Sequence, residues 1–557
     1  MHSSARTGTK DTRAGRSGPG AARVPAGSHG FLTYAVPVPP AGPSRLWTLL
    51  LAAVGGALTR LAFPGTDWWP LAFVGMALLF LALRRDSARW NALVGLVWGL
   101  GFFPWLITWA DVAVGPVPWI ALALVCAGFV AAFGAAWTWA RRGEAVRRSR
   151  GWQLVVFPLV WVATEELLAV WPFGGFPWGR LAFSQADSPL LPFVSWGGVP
   201  LLSALVCVVG VLLGQAGVTV RRANLLGAAA SGLAACLVVL AGFLVPLDSG
   251  AQDGELVVGA VQGDVPGEGL DAFGERAQVL ANHVQGTRAL LDRVEPGELD
   301  VVLWPENGTD IDPQVDEAAA AAIDGAARAL QAPMLVGTVQ YPESGGRYNT
   351  SVLWEPGQGV VATYTKQRPA PFAEYIPMRG IARHFSSAVD LVTRDMLPGD
   401  EPGYVPLESP RLGRTVGLGT VICFEVAYDG LVRSAVRAGG EVLVVQTNNA
   451  SFGWSDESLQ QLAMSRVRAV EHGRATVQIS TVGVSAVIRP NGAVTERTEL
   501  FTADQMVASL PLRTSQTWAT RLGSWPAWIV DALALSSVVA GAVGAARLRG
   551  TNRGEAA

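Results

Sequence analysis

The residues of this chain best suited to covalent chemistry lie in its second half, each at the end of an apolar run. Cys423 stands at the end of the run 416–424. Glu306 follows Val301-Val302-Leu303-Trp304-Pro305, where the proline stops the strand pattern, and Lys366 follows the run 360–365. In open α/β sheets the site lies beyond the carboxyl ends of the strands, so these three places are equivalent. A thiolate there attacks a carbonyl, a carboxylate takes the thiol proton as general base, and an ammonium stabilises the developing oxyanion. Singly, each residue has a plainer reading: a buried core cysteine, a turn carboxylate, a solvated lysine. Of the four cysteines, Cys126, Cys207 and Cys236 fall inside long apolar stretches, where cysteine is usually a small buried hydrophobe. Cys423 has no partner in its own segment, and the spacing alone leaves a reactive thiol and an inert core thiol both open. No Ser-His-Asp pattern competes, since His384 and His472 stand far from any such motif and read as structural. No Cys/His cluster has metal-ligand spacing, and neither GxGxxG nor a P-loop occurs, so neither a metal nor a nucleotide cofactor is expected.

The segment that must position these groups, residues 248–520, reads as α/β. Strand-like runs at 256–262, 301–304, 334–340, 350–355, 360–364, 416–424, 442–447, 477–481 and 485–489 are interrupted by helical patterns at 272–294, 315–330, 431–438 and 459–472. Strands alternating with helices predict a sheet covered by helices.

The rest of the chain is built for a bilayer. Half of all residues are apolar and 15% are charged, where a soluble domain is nearer a quarter charged. Apolar stretches at 46–63, 68–83, 91–110, 116–140, 152–171, 190–214 and 224–245 are expected to form seven transmembrane helices, with an eighth at 525–546. Residues 1–45 are basic, polar and aperiodic, and read as a disordered tail; they lack the apolar core of a signal peptide. The connections alternate in charge. Arg84, Arg85 and Arg89, then Arg141, Arg142, Arg147, Arg148 and Arg150, then Arg221 and Arg222 mark one side; the intervening loops carry little beyond Asp67, Asp111 and Arg180. By the positive-inside rule the basic loops, the tail and residues 547–557 are cytoplasmic, and the segment 248–520 is extracytoplasmic. Glu165 and Glu166 fall inside the fifth span, where charges are costly and often functional, yet nothing in the sequence assigns them a role. A net charge of −2 gives no reason to expect a nucleic-acid partner.

Trp304-Pro305-Glu306, Lys366 with Pro371-Phe372-Ala373-Glu374-Tyr375-Ile376-Pro377, and Ile422-Cys423-Phe424-Glu425 together resemble the Glu-Lys-Cys signature of the nitrilase superfamily. With the spans around them, the chain after its tail resembles the bacterial apolipoprotein N-acyltransferase family. Val261-Gln262-Gly263-Asp264-Val265-Pro266, Tyr348-Asn349-Thr350, Asn448-Asn449-Ala450-Ser451-Phe452-Gly453, Arg466-Val467-Arg468-Ala469-Val470-Glu471 and, in the membrane half, Gly175-Phe176-Pro177-Trp178 match as well. The resemblance implies an αββα sandwich on a helical bundle. It further implies Glu306 as general base, Lys366 as oxyanion stabiliser and Cys423 as acylated nucleophile, with Glu374 and Glu425 as supporting acidic residues. Ala373, Phe424 and Ser451 stand where the family often has Gly, Tyr and Trp.

The implied activity is transfer of a fatty acyl group from a membrane phospholipid, through a Cys423 thioester, to the α-amine of a lipoprotein's diacylglyceryl-cysteine. The enzyme would sit in the bacterial cell membrane, with phospholipid and diacylated apolipoprotein as its partners. A membrane-anchored amidase or nitrile hydrolase with the same triad would use water as acceptor and would not need so extensive a bundle. A transporter or lipid-binding protein would leave the Glu-Lys-Cys set without a purpose.

Overall fold

The computed structural model describes residues 44–265 and 277–554, which belong to one compact unit. The expected tail (all but Ser44 and Arg45), Pro266, the start of the helix expected at 272–294 and residues 555–557 lie outside the described residues.

The membrane half begins with α1 (Arg45–Leu61), α2 (Pro70–Ala82) and α3 (Ala88–Leu106), the short α4 (Trp109–Val114), then α5 (Pro116–Arg141), α6 (Glu144–Arg148), α7 (Arg150–Val170), α8 (Val194–Arg221) and α9 (Leu225–Leu240). Side-chain caps from Ser44, Ser87, Ser149 and Asn224 open α1, α3, α7 and α9 by accepting from first-turn N–H groups. Among the described residues five helical segments are long and apolar enough to cross a membrane: Pro116–Arg141, Arg150–Val170, Leu191–Arg221, Leu225–Leu244 and Trp525–Arg547. The segment expected at 68–83 is a helix of only 13 residues. Close helix approach relies on small residues. A Cβ on Gly95 or Gly134 would fall 2.2 Å from the backbone oxygen of Val130 or Asn91, so α3 and α5 touch through glycine. Cys126 and Cys207 are buried as expected, but Cys236 is exposed on the outer surface of α9; an apolar span has a lipid face as well as a packed one.

The α/β part is a sandwich of two sheets. Its strands are β1 (Glu255–Gln262), β2 (Val301–Leu303), β3 (Met334–Gln340), β4 (Tyr348–Glu355), β5 (Gly359–Thr365), β6 (Tyr404–Ser409), β7 (Arg414–Ile422), β8 (Val442–Thr447), β9 (Thr476–Ser480), β10 (Ala486–Ile488), β11 (Val494–Arg497) and β12 (Asp504–Pro511). They order as β12-β1-β2-β3-β4-β5 and β11-β10-β9-β8-β7-β6. The centre of each sheet is parallel, β1-β2-β3 and β7-β8-β9, and the flanks are antiparallel. Helices α10 (Gln278–Ala289) and α11 (Glu317–Leu330) cover the first sheet; α12 (Arg379–Ala382) is a single turn; α13 (Asp429–Arg437) and α14 (Glu457–His472) cover the second. Helices α15 (Trp518–Leu522) and α16 (Trp525–Gly554) close the chain. The last helix therefore runs past the boundary expected at 546.

Side-chain alternation explains the layering. Leu256, Val258, Leu303, Leu335 and Leu353 face Leu407, Val416, Leu418, Val444 and Val477 across the inter-sheet core. Their neighbours Val302, Trp304, Met334, Val336 and Val352 pack on Ile323, Ala327 and Leu330 of α11. On the second sheet Val421, Leu443 and Val445 join Val432, Val436, Met464 and Val467 in one continuous core with the membrane helices. The sandwich thus sits on the bundle through its second helical layer. Strands β6, β11 and β12 were not expected: Tyr404–Ser409 and Asp504–Pro511 carry proline, and Val494–Arg497 is a largely exposed edge strand with charged residues, so none reads as an apolar run.

Candidate active site

Parallel pairing and a meander bring the three candidate groups together. Strands β2 and β3 run the same way, and two antiparallel turns through β4 restore that direction in β5. Glu306 beyond β2 and Lys366 at the end of β5 therefore emerge on one edge, where Cys423 leaves β7 and Asn448 leaves β8. Lys366 Nζ donates to Glu306 Oε1 at 3.0 Å and to Glu374 Oε1 at 2.8 Å. Asn349, at the start of β4, donates its Nδ2–H to the same Glu306 oxygen at 2.6 Å, and the Asn448 N–H donates to Glu306 Oε2 at 2.9 Å. Glu374 Oε2 accepts the Ala370 N–H at 2.6 Å, fixing the loop that follows Lys366.

Glu425 ties the nucleophile turn to the lysine strand. Its Oε2 accepts the Ile422 N–H and the Tyr364 hydroxyl, both at 2.8 Å, and its Oε1 accepts the Gln367 N–H at 2.7 Å and the Arg368 N–H at 3.1 Å. All five expected site residues thus belong to one cluster. Cys423 differs from its expectation in conformation: β7 ends at Ile422, and Cys423 opens a 3₁₀ turn with φ +53°, a left-handed backbone that L-residues rarely adopt outside over-determined sites. The residue is half-buried and packs against the inter-sheet core.

Burial sets the electrostatics. It works against the Lys366 ammonium, but the Glu306 and Glu374 carboxylates outweigh it and hold Lys366 well above its usual range. Burial, reinforced by the Glu306 charge, pushes the Cys423 thiol up, while Lys366 pulls it down. The balance favours the neutral thiol at Cys423. Sequence reasoning missed Asn349 and Asn448 as site residues although both lie in quoted motifs, and missed Glu457 altogether. Glu457 is buried on α14 and accepts the Asn449 Nδ2–H at 2.6 Å. Burial pushes it up to about 8, against that hydrogen bond and with the Glu306 charge adding to the rise.

Two further features border the cluster. Phe424, next to the thiol, stacks on Phe176 (centroids 5.9 Å apart) and Trp178 (5.6 Å) of the membrane half. A cavity of about 840 Å³ runs from Arg368, Tyr428 and Arg433 down to Phe129, Val160, Leu167, Val170, Leu535 and Val538 on α5, α7 and α16.

Residues 55–212 match the family described as apolipoprotein N-acyltransferase N-terminal domain, and residues 259–520 match the carbon-nitrogen hydrolase family. An apolipoprotein N-acyltransferase of Mycolicibacterium smegmatis is 38% identical over 510 residues, 85% of this chain and 82% of that one. The chain belongs to the apolipoprotein N-acyltransferase family. Another member, from Azotobacter vinelandii, is 31% identical over 86% of this chain and 92% of its own length. A solved amidase from Nesterenkonia sp. is 18% identical over 48% of this chain and 94% of that chain, with a TM-score of 0.35. Phe424 and Ser451 stand beside the bundle, where Phe424 packs on Trp178 and the neighbouring Phe452 packs on Trp109. Ala373 is exposed.

Proposed function

We propose that this chain acylates the N-terminal amine of diacylated apolipoproteins with a fatty acyl group drawn from a membrane phospholipid, using Cys423 as nucleophile. One observation carries the reading: the Glu306–Lys366–Glu374 cluster stands at the Cys423 turn, and the last residue of that turn, Ala427, lines a cavity walled largely by apolar helices. In the first step Glu306 takes the Cys423 proton as sulfur attacks the ester carbonyl, and Lys366 neutralises the oxyanion. The C–O bond breaks, and Glu306 returns the proton to the departing lysophospholipid alkoxide. In the second step the lipoprotein α-amine attacks the thioester, Glu306 accepts the amine proton, the C–S bond breaks, and the proton returns to sulfur. Glu374 keeps Lys366 charged and Glu425 orients the turn.

The apolar walls of the cavity suit an acyl chain, and Arg368 and Arg433 at its polar end suit a phosphate. The reading extends to topology: eight spans, seven at 46–247 and one at 525–546, both termini cytoplasmic, and the domain 248–520 extracytoplasmic. Enzyme and both lipid-anchored substrates are then confined to one surface.

The deciding experiment incubates the purified full chain with labelled phospholipid alone. One adduct should accumulate on Cys423, be released by neutral hydroxylamine, and be discharged by a diacylated lipopeptide with a free α-amine but not by its N-acetylated form. Steady release of free fatty acid, with no lipopeptide acylated, would favour the hydrolase reading.

A further inference from the structure

The turn that carries Cys423 is held at both ends. Glu425 fixes its start to β5, as described above. Its end is fixed by Arg468 of α14, fully buried, whose Nε donates to the Val426 carbonyl and whose Nη2 donates to the Ala427 carbonyl, both at 2.8 Å. The same Nη2 meets Asp429 Oδ1 at 2.7 Å, and Asp429 is the first residue of α13, two residues beyond the turn. The other oxygen of Asp429 accepts from Arg180 Nη1 at 2.9 Å. Arg180 comes from the loop after α7 and is 3% exposed; its Nη2 pairs with Glu166 and its Nε faces Glu165 Oε2 at 3.9 Å. Glu165 Oε1 accepts the Trp161 indole N–H at 2.8 Å and the Leu181 N–H at 2.9 Å, which seats the Arg180 loop on α7. An unbroken chain of charged contacts therefore runs from two carboxylates on a membrane helix to the carbonyls of the nucleophile turn.

Buried ion pairs add little net stability, because desolvation offsets their attraction; specificity of geometry is their better-attested use. Here the geometry in need of specification is at hand. Cys423 holds a left-handed φ, a conformation that persists only where the surroundings over-determine it. The planar guanidinium of Arg180 bridges Glu166 and Asp429 with two separate N–H groups, a fork that a lysine cannot reproduce. Glu165 and Glu166, charges inside a span without an assigned purpose, acquire one.

We propose that Arg180 is a positioning residue for Cys423, joining the turn that bears the thiol to membrane helix α7 so that the membrane half sets the attitude of the nucleophile. This rests on the reading of Cys423 as nucleophile. The test uses full-length protein in detergent and measures the rate of Cys423 alkylation by iodoacetamide across pH, followed by mass spectrometry, beside kcat and KM for acyl transfer. Asp429→Asn and Arg180→Gln should slow alkylation and lower kcat by about tenfold to a hundredfold, the range expected of a small misplacement of a reacting group. Both residues also line the cavity, so alkylation, which needs no bound lipid, separates a displaced thiol from weakened lipid binding. Arg180→Lys should recover part of the loss. Asp187→Asn cuts a different ion pair between the halves, with Arg466 on the far side of α14, and should leave both rates at the wild-type value. Where Arg180→Gln does not fold, Asp429→Asn and Arg180→Lys decide the question. Folded Asp429→Asn protein with wild-type alkylation and kcat overturns the positioning role, as does an equal loss in Asp187→Asn. A wild-type protein that forms no adduct on Cys423 overturns the nucleophile reading instead.

Discussion

Glu306 Oε1 lies 3.0 Å from Lys366 Nζ, and both side chains are almost wholly withdrawn from solvent. Removing either partner of such a pair leaves a buried charge short of compensation. Glu306→Gln leaves Lys366 still paired with Glu374, so the protein should fold, while acyl-enzyme formation in single-turnover experiments should fall by about a hundredfold or more through loss of the base. Lys366→Met leaves the neighbouring carboxylates Glu306 and Glu374 without their shared cation. It should cost a comparable factor in rate and, in thermal melts, about 3–5 kcal/mol of stability. Near-normal turnover of folded Glu306→Gln protein would remove the base assignment.

Cys423→Ala should abolish the adduct and all acyl transfer, because Cys126 and Cys207 are buried in the bundle and Cys236 lies on the outer surface of α9. Any hydroxylamine-labile acyl group on the alanine protein places the nucleophile elsewhere.

Glu425 accepts three backbone N–H groups and the Tyr364 hydroxyl. In Glu425→Gln one acceptor oxygen becomes an amide NH₂ that faces donors. Each buried donor so stranded costs about 1–3 kcal/mol, so the melting temperature should drop and the Cys423 turn should loosen. Unchanged melting and unchanged alkylation of Cys423 would refute the turn-orienting role.

Glu457, pushed up to about 8, is neutral at lower pH and gains its charge close to Glu306 and Cys423 as pH rises. A carboxylate there opposes thiol deprotonation, so acyl transfer should decline above about pH 8, and Glu457→Gln should lack that limb. Stability follows from the sign of the shift. A folded-state value above the unfolded one of about 4.3 means the folded protein holds the extra proton, so this group's contribution is complete below about 4.3 and is lost as pH rises towards 8. Melting temperatures at about pH 5 and about pH 8 should therefore diverge more for the wild type than for Glu457→Gln. Matching pH profiles of the two proteins would take Glu457 out of the electrostatics of the site.

Cysteine substituted at Arg147, on the short basic helix α6 between α5 and α7, should react with membrane-impermeant maleimide only after the cytoplasmic side is opened; one placed at Arg414 should react from outside. The reverse pattern would invert the proposed topology and remove the substrate argument with it.

The three central residues were legible in sequence because a strand end is a local event: an apolar run stops and a polar side chain follows, as at Glu306, Lys366 and Cys423. Five of the eight expected apolar stretches, those at 116–140, 152–171, 190–214, 224–245 and 525–546, were legible for a similar reason, since length and composition alone decide whether a helix suits a bilayer. Glu374 and Glu425 came through motif resemblance, with no local signal of their own. The tertiary structure alone decided the rest. Lys366 reaches Glu306 only because β4 and β5 fold back beside β3, a pairing that no local pattern encodes. Glu457 reaches the site from α14, and its sequence neighbours describe only an ordinary helix start. The left-handed turn at Cys423 and the chain from Arg468 through Arg180 to Glu166 join segments distant in sequence. Propensity and hydrophobic period are written into neighbouring residues. Pairing, burial and the shift of a titrating group depend on which distant segments exclude water from one another, and that is fixed only when the chain has folded.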